Sequence, residues 1–303
     1  MSEVTVVHGS DLHFGKPHDP VAAEAFLASA QALAPDLIVL SGDFTQRAKV
    51  REYEEARAYL DRLPRVPVVV TPGNHDVPLY RVFERLLAPY RNYREHIADE
   101  LDAVTRIPGA TVVSLNSAAP HRAIVNGRIR LAQLEFARKA FERATPDDLK
   151  VLVTHHHLAP APDYEGDRPL PGGREILDAL EAMGVELVLG GHLHRAYIGN
   201  SLDVYPGVDR DRGIVIVQSG TTTSRRGRAR ERAKNTFNLL SVGARRLEVT
   251  HYMYFEEVSG FAPQSVHTFP RSPRRWFETS AAPERGAASG SGANRPVRAE
   301  VGP

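Results

Sequence analysis

The sequence predicts an α/β fold in which two β-sheets pack face to face and helices cover their outer surfaces. Short apolar runs alternate with segments of helical periodicity from residue 4 to residue 189. Several of these runs are continuously apolar, which is typical of strands buried on both faces of a parallel sheet. Beyond residue 200 the pattern becomes all β. Strands grouped in blocks at both ends of the chain favour two packed sheets over one.

Each predicted element follows from local composition. Runs rich in Val, Ile and Leu predict strands at residues 4–7, 37–40, 66–70, 111–115, 151–153, 185–189, 214–217, 237–242 and 247–254. Apolar residues at helical spacing, or Ala- and Leu-rich segments, predict helices at residues 20–33, 53–63, 79–87, 131–143 and 174–182. Residues 279–303 contain almost no large apolar side chains, so we expect a disordered tail after a domain at residues 1–278.

The composition is that of an ordinary globular chain. It has 303 residues, 42% of them hydrophobic and 25% charged, with a net charge of +1, so nothing global indicates nucleic acid or acidic membranes as partners. The chain has no Cys, which excludes disulfides and thiolate ligands and fits a reducing cytoplasm.

The N-terminus is predicted to be a first strand. The segment MSEVTVVHGSDLH lacks the basic and apolar regions of a signal peptide, and no apolar run in the chain approaches membrane-spanning length. We therefore predict a cytoplasmic location.

Five clusters of polar residues directly follow predicted strands. They are Asp11 with His13, Gly42-Asp43, Gly73-Asn74-His75-Asp76, His155-His156-His157, and Gly191-His192-Leu193-His194. Because the carboxyl ends of parallel strands meet in one crevice, we expect these side chains to lie close together. Carboxylates crowded in this way repel one another, and bound cations would relieve the repulsion.

The spacing inside two clusters supports convergence. Asp11 and His13 are two residues apart, as are His192 and His194, so in an extended chain both members of each pair would point to the same side.

The motifs DLH, GD, GNHD and GHLH, with a His after the strand at 151–153, occur in this order and resemble the calcineurin-like metallophosphoesterase superfamily over residues 4–197. DLHFG, GDFTQRA and GNHDVP look most like its bacterial branch, which includes the class III cyclic-nucleotide phosphodiesterases. The resemblance implies a four-layer α-β-β-α sandwich of two mixed β-sheets flanked by helices, the metallophosphoesterase fold.

The resemblance also implies a role for each matching residue. One metal would be held by Asp11, His13 and His194, the other by Asn74, His155 and His192, with Asp43 as the bridging carboxylate. His75 resembles the non-ligand His that protonates the leaving oxygen or stabilises the transition state. The cofactors would be two divalent or mixed-valence ions of Mn, Fe or Zn, and a hydroxide that they hold would attack the phosphorus.

One motif departs from the superfamily's protein phosphatases. Their second block reads GDxxDR, and its second Asp orients the non-ligand His, whereas this chain has GDFTQR with Gln46 at that position. The change disfavours protein phosphatase activity and leaves the orienting partner of His75 open. Arg47 keeps the Arg of the block, and it is either a phosphate-binding residue or a surface Arg.

Other segments allow two interpretations. Asn116 is either a substrate-binding residue or a turn residue. Asp76 either orients a neighbouring residue or caps a helix starting near Pro78, and the cap is the favoured interpretation. The basic stretch 225–234 is either a lip that attracts phosphate or a solvated loop, and the Pro-rich loop 158–172 either covers the metals or is a surface excursion. His156 and His157 are expected to line the pocket or face solvent.

The leading hypothesis is hydrolysis of a small-molecule phosphoester, a phosphodiester before a monoester, with 3′,5′-cyclic nucleotides as first candidate substrates. The alternatives are a nuclease of the same superfamily and a non-catalytic metal-binding scaffold. Nucleic acid is disfavoured as a partner because only residues 225–234 form a basic stretch that could bind it. The oligomeric state is left open.

Overall fold

The structure, a computed structural model, describes residues 3–121, 125–160, 168–205, 213–228 and 231–271. The strands are β1 Val4–Gly9, β2 Leu37–Leu40, β3 Val68–Val70, β4 Ala103–Ile107, β5 Ala110–Ser114, β6 Leu149–Val153, β7 Leu187–Gly190, β8 Tyr197–Asn200, β9 Val215–Gln218, β10 Thr236–Val242, β11 Arg246–Phe255 and β12 Gly260–Pro270. The helices are α1 Pro20–Leu33, α2 Val50–Leu60, α3 Val82–Leu87, α4 Arg91–His96, α5 Leu131–Glu142, α6 Gly173–Ala182 and α7 Ser201–Val204.

Local sequence explains where the first helix begins. The Asp19 carboxylate accepts hydrogen bonds from the backbone N–H groups of Val21 and Ala22, and Pro20 occupies the first turn, where its missing N–H costs nothing. The helix ends at Ala34, which has a left-handed backbone. These boundaries agree with the predicted range 20–33.

The strands form two mixed sheets of six strands each. The order in the first sheet is β12-β11-β10-β1-β2-β3, and in the second it is β4-β5-β6-β7-β9-β8. Strands β1, β2 and β3 are parallel, and so are β5, β6, β7 and β9, whereas the remaining strands pair antiparallel. The strand ends that carry the polar clusters therefore belong to both sheets.

Three apolar clusters hold the layers together. The central one joins the facing sides of the two sheets, with Val6 and Val39 from the first sheet and Val151 and Leu189 from the second. A second cluster packs α1, α2 and α4 on the first sheet, and a third packs α5 and α6 on the second. The predicted four-layer α-β-β-α sandwich is confirmed.

Some predicted elements differ from the structure. Strands β4, β8 and β12 and helices α4 and α7 were not predicted, and the apolar residues that predicted a helix over 79–87 form only α3, whose side chains are not buried. The predicted tail at 279–303 and the predicted domain end at 278 lie outside the described residues. Among the described helices, none combines the length and apolar character needed to cross a membrane.

Candidate metal centre

Five loops that follow β1, β2, β3, β6 and β7 bring ligand atoms together where strands of both sheets end. Asp11, His13, Asp43 and His194 each offer one ligand atom, and these four atoms lie within 4.8 Å of one another. The Nε2 atom of His194 lies 3.2 Å from Oδ1 of Asp11 and 3.3 Å from Nε2 of His13. This first cluster is able to hold a metal ion.

A second cluster lies beside the first and shares Asp43 with it. Oδ1 of Asn74 lies 3.2 Å from Nε2 of His155 and 3.0 Å from Nδ1 of His192. Oδ2 of Asp43 lies 3.5 Å from Nε2 of His155 and 3.6 Å from Nε2 of His13, so this oxygen faces both clusters. One carboxylate thus stands between two sets of nitrogen and oxygen donors.

Two carboxylate oxygens at the centre fit a bound cation. Oδ1 of Asp11 and Oδ2 of Asp43 are fully buried, and neither accepts a hydrogen bond from the described residues. A buried anion without donors is costly unless a positive charge compensates it. The donor set contains carboxylate, imidazole and amide groups and no thiolate, which suits Mn, Fe or Zn.

The carboxylates of this centre are anionic at neutral pH. Burial alone would raise the pKa of Asp43, but the neighbouring His155 and His75 outweigh burial and hold this pKa well below its usual range. The pKa of Asp11 is likewise held low against burial, chiefly by His194 and His13. The centre therefore presents negative charge to an incoming cation.

The backbone around the centre is strained. Five non-glycine residues of the two clusters have left-handed φ angles: Asp11 (57°), His13 (49°), Asp43 (56°), His192 (73°) and His194 (54°). Each such residue costs about 1–2 kcal/mol, and strain of this kind concentrates at functional sites. The prediction that extended backbone points both members of each pair, Asp11 with His13 and His192 with His194, to the same side is wrong, because all four residues have left-handed φ angles. Moreover, His192 lies in the second cluster and His194 in the first.

Backbone carbonyls orient two imidazole rings of the clusters. Nδ1 of His155 donates to the Ser41 carbonyl at 2.7 Å, and Nδ1 of His194 donates to the Arg226 carbonyl at 3.0 Å. Because a carbonyl only accepts, Nδ1 carries a hydrogen in both rings, and Nε2 is the nitrogen that would present its lone pair to a bound cation.

His75 lies at the edge of the centre and is oriented in the same way. Its Nδ1 donates to the Gln46 carbonyl at 2.8 Å, and its backbone N–H donates to Oδ1 of Asp43 at 2.8 Å. Gln46, which stands where the protein phosphatases have an Asp, therefore positions His75 through its main-chain carbonyl. A residue of any type at this position could provide that carbonyl. Burial lowers the pKa of His75, with the Asp43 carboxylate opposing this shift and the Arg226 guanidinium adding to it.

Sequence reasoning did not single out Arg226. Its Nη1 donates to Oε1 of Gln46 at 2.9 Å and to Nε2 of His75 at 3.1 Å, and its side chain is half-buried. The only signal was its membership of the basic stretch 225–234, of which residues 229 and 230 lie outside the described residues. Nothing in that stretch distinguishes Arg226 from its neighbours.

Asp76 does not cap a helix, and this interpretation was wrong. Its buried carboxylate accepts hydrogen bonds from the backbone N–H groups of Phe44, Thr45 and Gly73, and α3 starts only at Val82 with Arg81 as its N-cap. Asp76 thus fastens the loop after β3 to the loop after β2. Burial and the nearby Asp43 charge raise its pKa to about 7.

The two candidate substrate-binding residues are Arg47 and Asn116. The Arg47 guanidinium lies 4.9 Å above the Tyr80 ring, and both residues line a cavity of about 50 Å³ that also contacts Asn74 and His75. Asn116 accepts the Ala118 N–H through Oδ1, as a turn residue does, and its role in binding substrate stays a prediction.

His156 and His157 are both buried rather than solvated, and Nδ1 of His156 pairs with the Ser117 hydroxyl at 2.8 Å. For the loop 158–172, residues 161–167 lie outside the described residues.

Close contacts leave no room for a side chain at Gly73. A Cβ atom there would lie 2.1 Å from Oδ1 of Asp43 and 2.6 Å from its backbone N. We expect Gly73→Ala to lower the free energy of unfolding by about 1–3 kcal/mol, measured by urea denaturation, because the loop must move to accommodate the methyl group. Gly243→Ala is the matched control, since its Cβ would meet only the Arg246 carbonyl at 3.9 Å. Equal stabilities for the two variants would contradict the close packing at Gly73.

A four-layer sandwich with Asp, His and Asn donors clustered where strands of both sheets end is the architecture of the metallophosphoesterases. The family model for the calcineurin-like phosphoesterases matches residues 4–196, and the chain belongs to this family. The predicted resemblance to this family is therefore confirmed.

The chain is similar in sequence to curated bacterial proteins and in fold to a plant phosphatase. A probable cyclic nucleotide phosphodiesterase of Synechococcus is 29% identical over 194 residues, which are 61% of this chain and 68% of that protein. A component of the nuclease SbcCD of Staphylococcus epidermidis is 26% identical over 67% of this chain and 60% of its own length. The purple acid phosphatase PPD1 of yellow lupin shares the fold, with a TM-score of 0.65, 16% identity, and coverage of 95% of this chain and 57% of that one.

Proposed function

We propose that the chain is a binuclear metal-dependent phosphodiesterase that hydrolyses a small-molecule phosphodiester, with 3′,5′-cyclic nucleotides as first candidates. The observation that carries the proposal is the position of Asp43, whose Oδ2 lies 3.5–3.6 Å from donors of both clusters. The relative from Synechococcus, named a probable cyclic nucleotide phosphodiesterase, supports the substrate class. A cytoplasmic location stays a prediction.

In this proposal Asp11, His13 and His194 would hold one metal ion, Asn74, His155 and His192 would hold the other, and Asp43 would be the ligand that they share. The two ions, which we expect to be Mn, Fe or Zn, would supply a water nucleophile activated near neutral pH and positive charge for the phosphoryl oxygens. The protein's own part is to fix these donors before substrate arrives, through strained loops and carbonyl-oriented rings.

The groups beside the centre would handle the substrate. Nδ1 of His75 is engaged by the Gln46 carbonyl, which leaves Nε2 as the nitrogen that can exchange a proton with the leaving oxygen, and Arg47 lines the same cavity. A guanidinium in this position suits a non-bridging phosphate oxygen, since its planar donors match that geometry.

The reaction class can be tested with two esters of p-nitrophenol. With Mn²⁺ present, we expect a higher kcat/KM for bis(p-nitrophenyl) phosphate than for p-nitrophenyl phosphate, and then turnover of 3′,5′-cyclic AMP in a nucleotide panel. A preference for the monoester would contradict the phosphodiesterase proposal. A chain that binds Mn²⁺ but hydrolyses neither ester would instead be a scaffold.

A nuclease is the second candidate, because the chain is also similar to the component of the nuclease SbcCD described above. Degradation of single-stranded DNA with Mn²⁺, suppressed by added salt and faster than turnover of any cyclic nucleotide, would favour it.

A further inference from the structure

A basic pocket adjoins the edge of the metal centre at His75. This cavity of about 480 Å³ is lined by Lys16, Gln46, Arg47, Lys49, Glu52 and Arg226. Gln46 and Arg47 also line the smaller cavity at His75, so the two cavities share a wall. Arg226 stands at the boundary, because its Nη1 lies 3.1 Å from Nε2 of His75. A substrate held at His75 thus has this pocket next to it.

The cations of the basic pocket lack carboxylate partners. Within the described parts of the chain, no carboxylate lies in salt-bridge range of Lys16, Arg47, Lys49 or Arg226. The one acidic residue of the lining, Glu52, is buried, and its Oε2 accepts the backbone N–H groups of Arg47 at 2.7 Å and Lys49 at 3.4 Å. Four cationic side chains therefore surround one concave space with a single carboxylate, and that carboxylate is engaged by the main chain.

Such an arrangement attracts an anion. Cations around a cavity focus a positive potential into it, and an anionic group placed there would relieve the repulsion among them. The guanidinium groups of Arg47 and Arg226 match the geometry of a phosphate, and the ammonium groups of Lys16 and Lys49 add point charges from two different loops. The pocket is separate from the metal clusters, since none of the proposed metal ligands lines it.

We infer that the basic pocket is a second anion subsite, and that the preferred substrate carries a further phosphate besides the scissile phosphodiester. The inference rests on the proposed function. It narrows the substrate class to phosphodiesters that carry a second phosphate on the part of the molecule that extends past His75 into the basic pocket. A 3′,5′-cyclic mononucleotide has one phosphate and would leave this subsite empty, so it would be a poorer substrate than a phosphorylated dinucleotide.

Two dinucleotides provide the test. ApA has one phosphodiester, and pApA differs from it only by a terminal 5′-phosphate. For the full manganese-loaded chain we expect kcat/KM to be at least about 10-fold higher for pApA than for ApA, with the ratio falling as salt is added. The double variant Lys16→Gln/Lys49→Gln should reduce the ratio towards one. Arg51→Gln is the matched control, because Arg51 is exposed on α2 and pairs with Glu55 outside the pocket, and it should keep the wild-type ratio.

The outcomes separate this inference from the proposed function. Hydrolysis of both dinucleotides with a ratio near one in the wild type, or a ratio that the double variant leaves high, would overturn the subsite and leave the phosphodiesterase proposal standing. If neither dinucleotide nor bis(p-nitrophenyl) phosphate is hydrolysed, the proposed function fails. Calorimetry then still decides on the subsite: the Asp43→Asn chain should bind pApA about 10-fold more tightly than ApA, and equal affinities would refute it.

Discussion

Replacing Asp43 by Asn should abolish turnover of bis(p-nitrophenyl) phosphate, with kcat reduced at least about 10³-fold, and should lower the metal content of the purified chain. The reason is the position of this carboxylate. Its Oδ2 faces donors of both clusters and its Oδ1 accepts the backbone N–H of His75, so one substitution removes negative charge from both proposed ion sites. Activity would be measured by p-nitrophenolate release, and metal content by mass spectrometry after loading with Mn²⁺.

The control for this variant is Asp61→Asn, the same chemical change at an exposed carboxylate that pairs with Arg57 on α2. This variant should keep wild-type activity and metal content. Full activity in Asp43→Asn would show that the shared carboxylate does not bridge two ions, and the proposed mechanism would be wrong.

Part of this architecture was predictable because local signals and tertiary structure agree. Continuous apolar runs such as 37–40 are buried on both faces in a parallel sheet, and α1 has an Asp cap and a first-turn Pro at its start. The polar clusters were predictable as a group because they follow strands whose carboxyl ends meet. The structure brings all five to one place.

Other elements have weak or misleading local signals. Strand β12 contains Pro263 and Pro270, residues that argue against a central strand, and it lies at the edge of its sheet, where Pro is tolerated. The apolar periodicity around α3 predicted a buried helix face, yet Phe83 is 82% exposed and Leu87 is 84% exposed. Periodicity reports which residues share a face and says nothing about whether another element covers that face.

The finer geometry of the centre depends on tertiary contacts that no spacing reveals. The partner of the His75 ring is a main-chain carbonyl, which leaves no trace in the identity of residue 46. Arg226 reaches His75 from a loop 151 residues away in the chain. Asp11 and Asp43 have left-handed φ angles in loops that pair with each other, through the bonds from Asp11 N–H to the Gly42 carbonyl and from His13 N–H to the Asp43 carbonyl.

His75→Ala should lower kcat by about 10²–10⁴-fold on a substrate with a poor leaving group while leaving the metal content unchanged. The ring is not among the proposed ligands, and its Nε2 lies 3.1 Å from Nη1 of Arg226. With 3′,5′-cyclic AMP the leaving group is an alkoxide, which needs a proton as it departs. With bis(p-nitrophenyl) phosphate it is p-nitrophenolate, which departs without one.

The comparison of the two substrates distinguishes a proton donor from a group that only positions the substrate. As a proton donor, His75 matters far more for the cyclic nucleotide, so the activity ratio between the two substrates should shift strongly in His75→Ala. The exposed His121 provides the control, since His121→Ala should change neither activity. An equal loss on both substrates would mean that His75 acts on the phosphoryl group or on Asp43, whose Oδ1 accepts its backbone N–H, and not on the leaving oxygen.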